Sequence, residues 1–92
     1  MIIHSVNVFN KTFHVQKSQR KNKKYDVLDE NKKYVLSFGD KRYHHFFDVF
    51  GEYQYLNHND EHRRQNYRKR AAGIGHLDDP HSANFWSYNF LW

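Results

Sequence analysis

Cysteine is absent from the 92 residues, proline occurs once (Pro80) and glycine four times. Without cysteine there is no disulfide framework, no thiolate nucleophile and no zinc–cysteine site, which suits an intracellular protein or one indifferent to redox state. Apolar runs last only a few residues, far short of the roughly 20 that a membrane-spanning helix needs. Met1-Ile2-Ile3-His4 lacks the charged and long apolar regions of a secretory leader. A glycine-rich phosphate loop is also missing, because Gly73-x-Gly75 is too short and follows no strand.

Rings and positive charge are what the chain has. Phe, Tyr and Trp make up 18% of it, while Lys and Arg outnumber Asp and Glu by 15 to 10. Charge and a mean hydropathy of -1.08 pull towards disorder, but the rings pull towards a core. Each buried ring removes about 150–250 Å² from water, so a core poor in aliphatics can still be built. The length suits a single domain.

Three stretches differ in character. Residues 1–16 are β-rich: Val6 and Val8, then Phe13 and Val15, alternate with polar residues as half-buried strands do. Asn10-Lys11 is the candidate turn between them, without the glycine of a strong hairpin signal. Residues 17–24 carry five basic residues and no acid, the pattern of an exposed loop or arm. Residues 25–92 begin with a better hairpin, in which Tyr25–Leu28 and Tyr34–Phe38 flank the polar turn Asp29–Lys33. Tyr34, Leu36 and Phe38 would share one face, with Val35 on the other.

Helices should follow. Asp40 can cap a helix carrying Tyr43, Phe46, Phe47 and Phe50 at i, i+3, i+4 and i+7, with Gly51 as its stop. Asn59 or Asp60 caps a second helix over about Glu61 to Arg70, closed by Gly73 or Gly75. Ser82 caps a last short helix running towards Trp92, apolar nearly all round and therefore buried. The expected fold is a small α+β domain, with an N-terminal strand segment and a β-hairpin followed by two or three short helices. Tyr43, Phe46, Phe47, Phe50, Phe85, Trp86 and Trp92 are its expected core.

The basic residues are the candidate binding groups. Arg63, Arg64, Arg68, Lys69 and Arg70 on the second helix, with Lys21, Lys23 and Lys24 from the basic tract, suit phosphates of nucleic acid or carboxylates of a protein partner. The plainer alternative is a solvated helix face neutralised by Asp48, Asp60 and Glu61. The chain also has eight histidines. His58 and His62, beside Asp60, carry a remote metal-dependent, HNH-like nuclease reading. His58 lies before the cap and His62 after it, so they need not converge as a zinc site requires. The expectation is no metal, no cofactor and no catalytic residue. Ring clusters at helical spacing are more often core than base-stacking platforms.

Four blocks in fixed order carry a resemblance. They are Lys24-Tyr25-Asp26-Val27 with Ser37-Phe38-Gly39-Asp40-Lys41-Arg42-Tyr43; Leu56-Asn57-His58-Asn59-Asp60; Arg63-Arg64-Gln65-Asn66-Tyr67-Arg68-Lys69-Arg70; and Ser82-Ala83-x-Phe85-Trp86-Ser87 with Leu91-Trp92. Across residues 24–92 the chain resembles a family of small basic proteins of large nucleocytoplasmic DNA viruses, of chlorella-virus-like, mimivirus-like and iridovirus-like lineages. The family pattern has an acid where this chain has Asn57 and a histidine where it has Ala71, so a histidine ligand or catalyst at the second position would be lost. The resemblance implies location in the virion as a minor capsid or cement protein. Its partners would be other virion proteins, with packaged nucleic acid as the alternative. The N-terminal strand, Ile2–Phe9, would then pair with a neighbour's sheet edge.

Overall fold

Three successive antiparallel pairings gather residues 2–40 into one sheet. A computed structural model describes residues 2–92, leaving Met1 outside the described residues. The strands are β1 (Ile2–Val8), β2 (Lys11–Lys17), β3 (Lys23–Leu28) and β4 (Tyr34–Asp40), lying side by side in sequence order. The period-two pattern works as expected here: Phe13, Val15, Tyr25, Val27 and Phe38 all point into the core.

The β1–β2 turn is centred on Phe9 and Asn10, one residue earlier than the sequence suggests. Both have positive φ (50° and 65°), as a two-residue hairpin turn requires. β2 continues through Lys17 and β3 starts at Lys23, so the basic loop shrinks to residues 18–22. Register in the β3–β4 hairpin shifts between Val27 and Leu28: Val27 faces Leu36, while Leu28 faces Tyr34. That irregularity lets Val35 pack against the core beside Leu36, while Tyr34 stays exposed, contrary to simple alternation.

The aromatic helix expected after Asp40 does not form. Residues 41–53 are turns and irregular backbone, followed by a single 3₁₀ turn, Gln54–Leu56. The amides that a helix would spend on its own carbonyls are used elsewhere. Phe47 N–H donates to the Leu91 carbonyl and Val49 N–H to that of Phe90, while Phe50 and Tyr53 N–H donate to the Asp48 carboxylate. The expected core changes accordingly. Phe50, Phe85 and Trp86 are buried, Phe46 and Trp92 lie half-buried at the edge, and Tyr43 (63% exposed) and Phe47 (49%) are outside it.

Two α-helices complete the described fold. α1 (Glu61–Ile74) is capped by Asp60, whose Oδ1 accepts from His62 and Arg63 N–H, and it runs on to Gly75 at φ 89°. α2 (Ala83–Phe90) is capped by the Ser82 hydroxyl and lies against β4. It delivers Trp86 to the centre, 5.7 Å from the Phe13 ring and 5.9 Å from that of Phe38, with Nε1 donating to the Pro80 carbonyl. Phe90 links Trp86 to Phe50 by stacked contacts of 5.1 and 5.0 Å. Neither helix is long and apolar enough to cross a membrane.

Gly39 marks the tightest point between sheet and helix. Its φ is +76°, and a Cβ there would sit 2.9 Å from Lys24 Cδ and 3.1 Å from Leu91 Cδ1. Gly39→Ala should therefore lose about 2–4 kcal/mol of stability, combining left-handed strain with overpacking. Urea unfolding checks this, and a loss below about 0.5 kcal/mol, the range of ordinary surface substitutions, would contradict it.

Candidate binding surfaces

A buried polar network sets the shape of everything around it. Lys24, placed in the exposed tract by its sequence neighbours, is only 2% exposed and is not available to a partner. Its Nζ donates to the Tyr43 carbonyl (3.0 Å) and to His45 Nδ1 (2.8 Å). His45 is then a neutral imidazole protonated at Nε2, donating to Asn57 Oδ1 (2.6 Å), because that same oxygen accepts the Asp48 amide (2.8 Å). Asp48 accepts from the Tyr25 hydroxyl (2.5 Å) and from the amides of Phe50 and Tyr53. Backbone bonds between His45 and Leu56 and between His58 and His45 close the structure.

Ionisation follows from this packing. Burial, reinforced by the Lys24 charge, brings His45 down to about 4. Burial also lowers Lys24 to about 8, against the pull of Asp48 and Asp40. Tyr25 is pushed well up by burial and by its bond to Asp48. Perturbed groups in one place invite a catalytic reading, but His45, Asp48 and Tyr25 are sealed from solvent and bonded to one another.

The basic helix residues divide into two sets. Arg64, Tyr67, Arg68 and Ala71, at i, i+3, i+4 and i+7, face the body of the protein. Arg64 Nε and both Arg68 Nε and Nη2 donate to the Trp92 main-chain oxygen, and Arg68 Nη1 reaches the Tyr88 hydroxyl. The Tyr67 ring stacks on Trp92 at 4.4 Å and 11°. Arg63, Lys69 and Arg70 are exposed.

Two surfaces flank α1. On one side Phe46, Phe47, Val49, Phe90 and Trp92 form an aromatic ledge around a groove of about 230 Å³, bordered by Arg64 and Arg68. The Arg64 guanidinium lies over the Phe46 ring at 4.7 Å. Phe47 and Val49 stand out from this ledge, and Val49 is 57% exposed. On the other side a cleft of about 450 Å³ separates β4 from α1 and α2, bringing Lys23 and Arg70 from the two basic tracts to its banks. Lys21 is exposed on the adjoining loop.

Residues 13–49 match the model of a family of unknown function, DUF5754. The matched stretch runs from β2 through β4 to Val49, so it holds Lys24, Tyr25, His45 and Asp48 but neither α-helix. No curated protein and no solved structure matches the chain.

The nuclease candidates His58 and His62 occupy different environments. His58 Nδ1 accepts the Asp60 amide, its ring rests 5.1 Å from Trp92, and its Nε2 is buried with no partner among the described residues. Burial and nearby Arg63 lower its pKa. His62 is exposed in the first turn of α1. Among the described residues no three His, Asp or Glu side chains are grouped to hold a metal ion. Sequence reasoning did not bring His45, Asp48 and Asn57 together as one cluster. Their partners are distant in the chain, and no local spacing announces them.

Asp48→Ala should cost at least about 3 kcal/mol, since it strands a buried hydroxyl and two amides at about 1–3 kcal/mol each. Chemical denaturation measures it, and a change below about 1 kcal/mol would remove Asp48 from its central role. The pH dependence has a definite sign. His45 is less basic folded (about 4) than unfolded (6.5), so the unfolded chain binds more protons between these values and stability falls as pH drops through that window. His45→Gln, which keeps one donor and one acceptor without a titrating ring, should flatten this part of the curve. An unchanged acid limb in urea midpoints measured across pH would refute the assignment.

Proposed function

We propose that this protein is a non-catalytic structural component of a large DNA-virus particle. In this reading it docks on larger virion proteins through the aromatic ledge and its flanking arginines. The ledge carries the proposal: Phe47 and Val49 are large apolar side chains left in water beside the half-buried rings of Phe46, Phe90 and Trp92. Contiguous apolar surface beside arginine is the composition of protein interfaces, where rings supply area and guanidinium groups supply direction. Arg64 and Arg68 are already held in place by Trp92, so little side-chain freedom remains to be lost on binding.

The resemblance across residues 24–92 supports the viral setting and the virion location. The outer edge of β1 offers a second contact. β1 pairs with β2 inside the protein's own sheet, from Val8–Lys11 to Ile2–Gln16, and stands at the end of the strand order. A neighbouring strand could extend the sheet there.

The paired substitution Phe47→Ser and Val49→Ser removes exposed apolar surface and should leave stability within about 0.5 kcal/mol per site. It should abolish co-sedimentation with virion proteins, while raised salt should weaken the parent interaction only modestly. Retained association in the double variant would defeat the proposal, as would finding the protein outside the particle.

A further inference from the structure

We propose that the cleft between β4 and the two helices, with the basic turns beside it, binds single-stranded nucleic acid. This site is separate from the aromatic ledge. The fold builds it by joining segments distant in sequence. Lys41 N–H donates to the Asn22 carbonyl (2.9 Å), and Lys23 pairs with Asp40 across the β3–β4 ladder. These contacts put Lys21, Lys23 and Lys41 at one end of the sheet, and α1 adds Arg70 from the opposite bank.

Acidic groups do not cancel this charge. Asp40, the carboxylate at the cleft, is occupied by Arg42 through bonds of 2.7 and 3.0 Å, and the Arg42 side chain holds its pKa down at about 2. The remaining cations face water as a backbone-tracking surface needs. An exposed ring stands among them: Tyr43 lines the cleft, 5.6 Å from the Arg42 guanidinium.

The chemistry favours nucleic acid over an acidic peptide. Carboxylates would satisfy the lysines but leave the exposed apolar lining of the cleft, Tyr43 and Ile74, without a matching group. An unstacked base supplies a flat face for Tyr43 or the cleft, while its flanking phosphates meet the lysines. That pairing of positive groove and stacking ring is how sequence-tolerant single-strand sites work. A duplex offers the phosphates but keeps its bases stacked inside.

Fluorescence anisotropy with the full chain and a labelled oligothymidylate of about 12 nucleotides, a length in the range such sites cover, tests this. With about four phosphates neutralised, raising salt fourfold should weaken binding about 50-fold. The exposed-site variant Lys23→Glu with Arg70→Glu should lose at least about tenfold in affinity and roughly half of that salt slope. Tyr43→Ala should lose about tenfold with the slope unchanged. Thermal melts confirm that both variants remain folded. Phe47→Ser with Val49→Ser should bind the oligonucleotide as the parent does, separating this site from the ledge. No binding at low salt up to about 0.1 mM protein would overturn the proposal, as would parental affinity in the Lys23 and Arg70 variant. Equal displacement by polyglutamate, with no effect of Tyr43→Ala, would assign the cleft to an acidic protein and overturn it too.

Discussion

The carboxylate of Asp48 is the point on which residues 41–59 are organised. A chain of this size has little regular structure to hold thirteen irregular residues in place, and apolar contact alone does not specify a backbone path. Asp48 does so by accepting from Tyr25 of the sheet and from two amides of its own segment, while its own amide is held by Asn57. Lys24 supplies the compensating positive charge through His45, so the buried region is close to neutral overall. Buried ions are seldom a net source of stability. Their contribution here is conformational: the donors and acceptors of Lys24, Tyr25, His45, Asp48 and Asn57 are matched to one another, so the backbone has one path.

Because that path is fixed, the amides of Phe47 and Val49 reach the carbonyls of Leu91 and Phe90 at the end of α2, and the C-terminal residues become part of the fold. α1 is attached differently. Of its fourteen residues only Ala71 is buried, so it adds little to the apolar core. It is held by the Tyr67–Trp92 stack, by arginine bonds to the Trp92 oxygen, and by Asn84 Nδ2 donating to the carbonyls of Ala71 and Gly75. Few buried contacts and polar anchoring are the marks of an element that opens before the rest. α1 therefore has less apolar anchoring than the shorter α2, which buries Phe85 and Trp86.

The strands and helix caps were readable because their signals are local. Val6, Val8, Phe13 and Val15 alternate over short range, and Asp60 and Ser82 precede their helices directly. The failures have equally physical causes. In a chain with so many rings, spacing of i, i+3, i+4 and i+7 arises without a helix, and Tyr43, Phe46, Phe47 and Phe50 are such a case. The polar residues His45 and Asp48 within that stripe were the contrary signal, since their partners lie in β3 and beyond Leu56. Lys24 was grouped with its charged neighbours, yet successive side chains of a strand point to opposite faces, and Lys23 is exposed where Lys24 is buried. Phe9 in the left-handed region is unusual for a bulky residue. The turn signal there came from Asn10 alone.

α1 stands as a wall between the two surfaces. Arg64 and Arg68 border the ledge, Tyr67 and Arg70 border the cleft, and Trp92 lines both. Loss of the Trp92 ring would release the Tyr67 stack and loosen α1, disturbing both surfaces whichever of them binds. Arg64 and Arg68 share this defect, because their bonds to the Trp92 oxygen hold the helix as well as the ledge. The residues that separate the surfaces are those projecting from only one side with no part in holding α1. Phe47 and Val49 are such residues on the ledge, and Lys23 and Tyr43 are such residues at the cleft. A basic charge count cannot distinguish a protein partner from nucleic acid in this chain, because the same helix presents cations to both sides. The distinction rests on which rings remain exposed beside them.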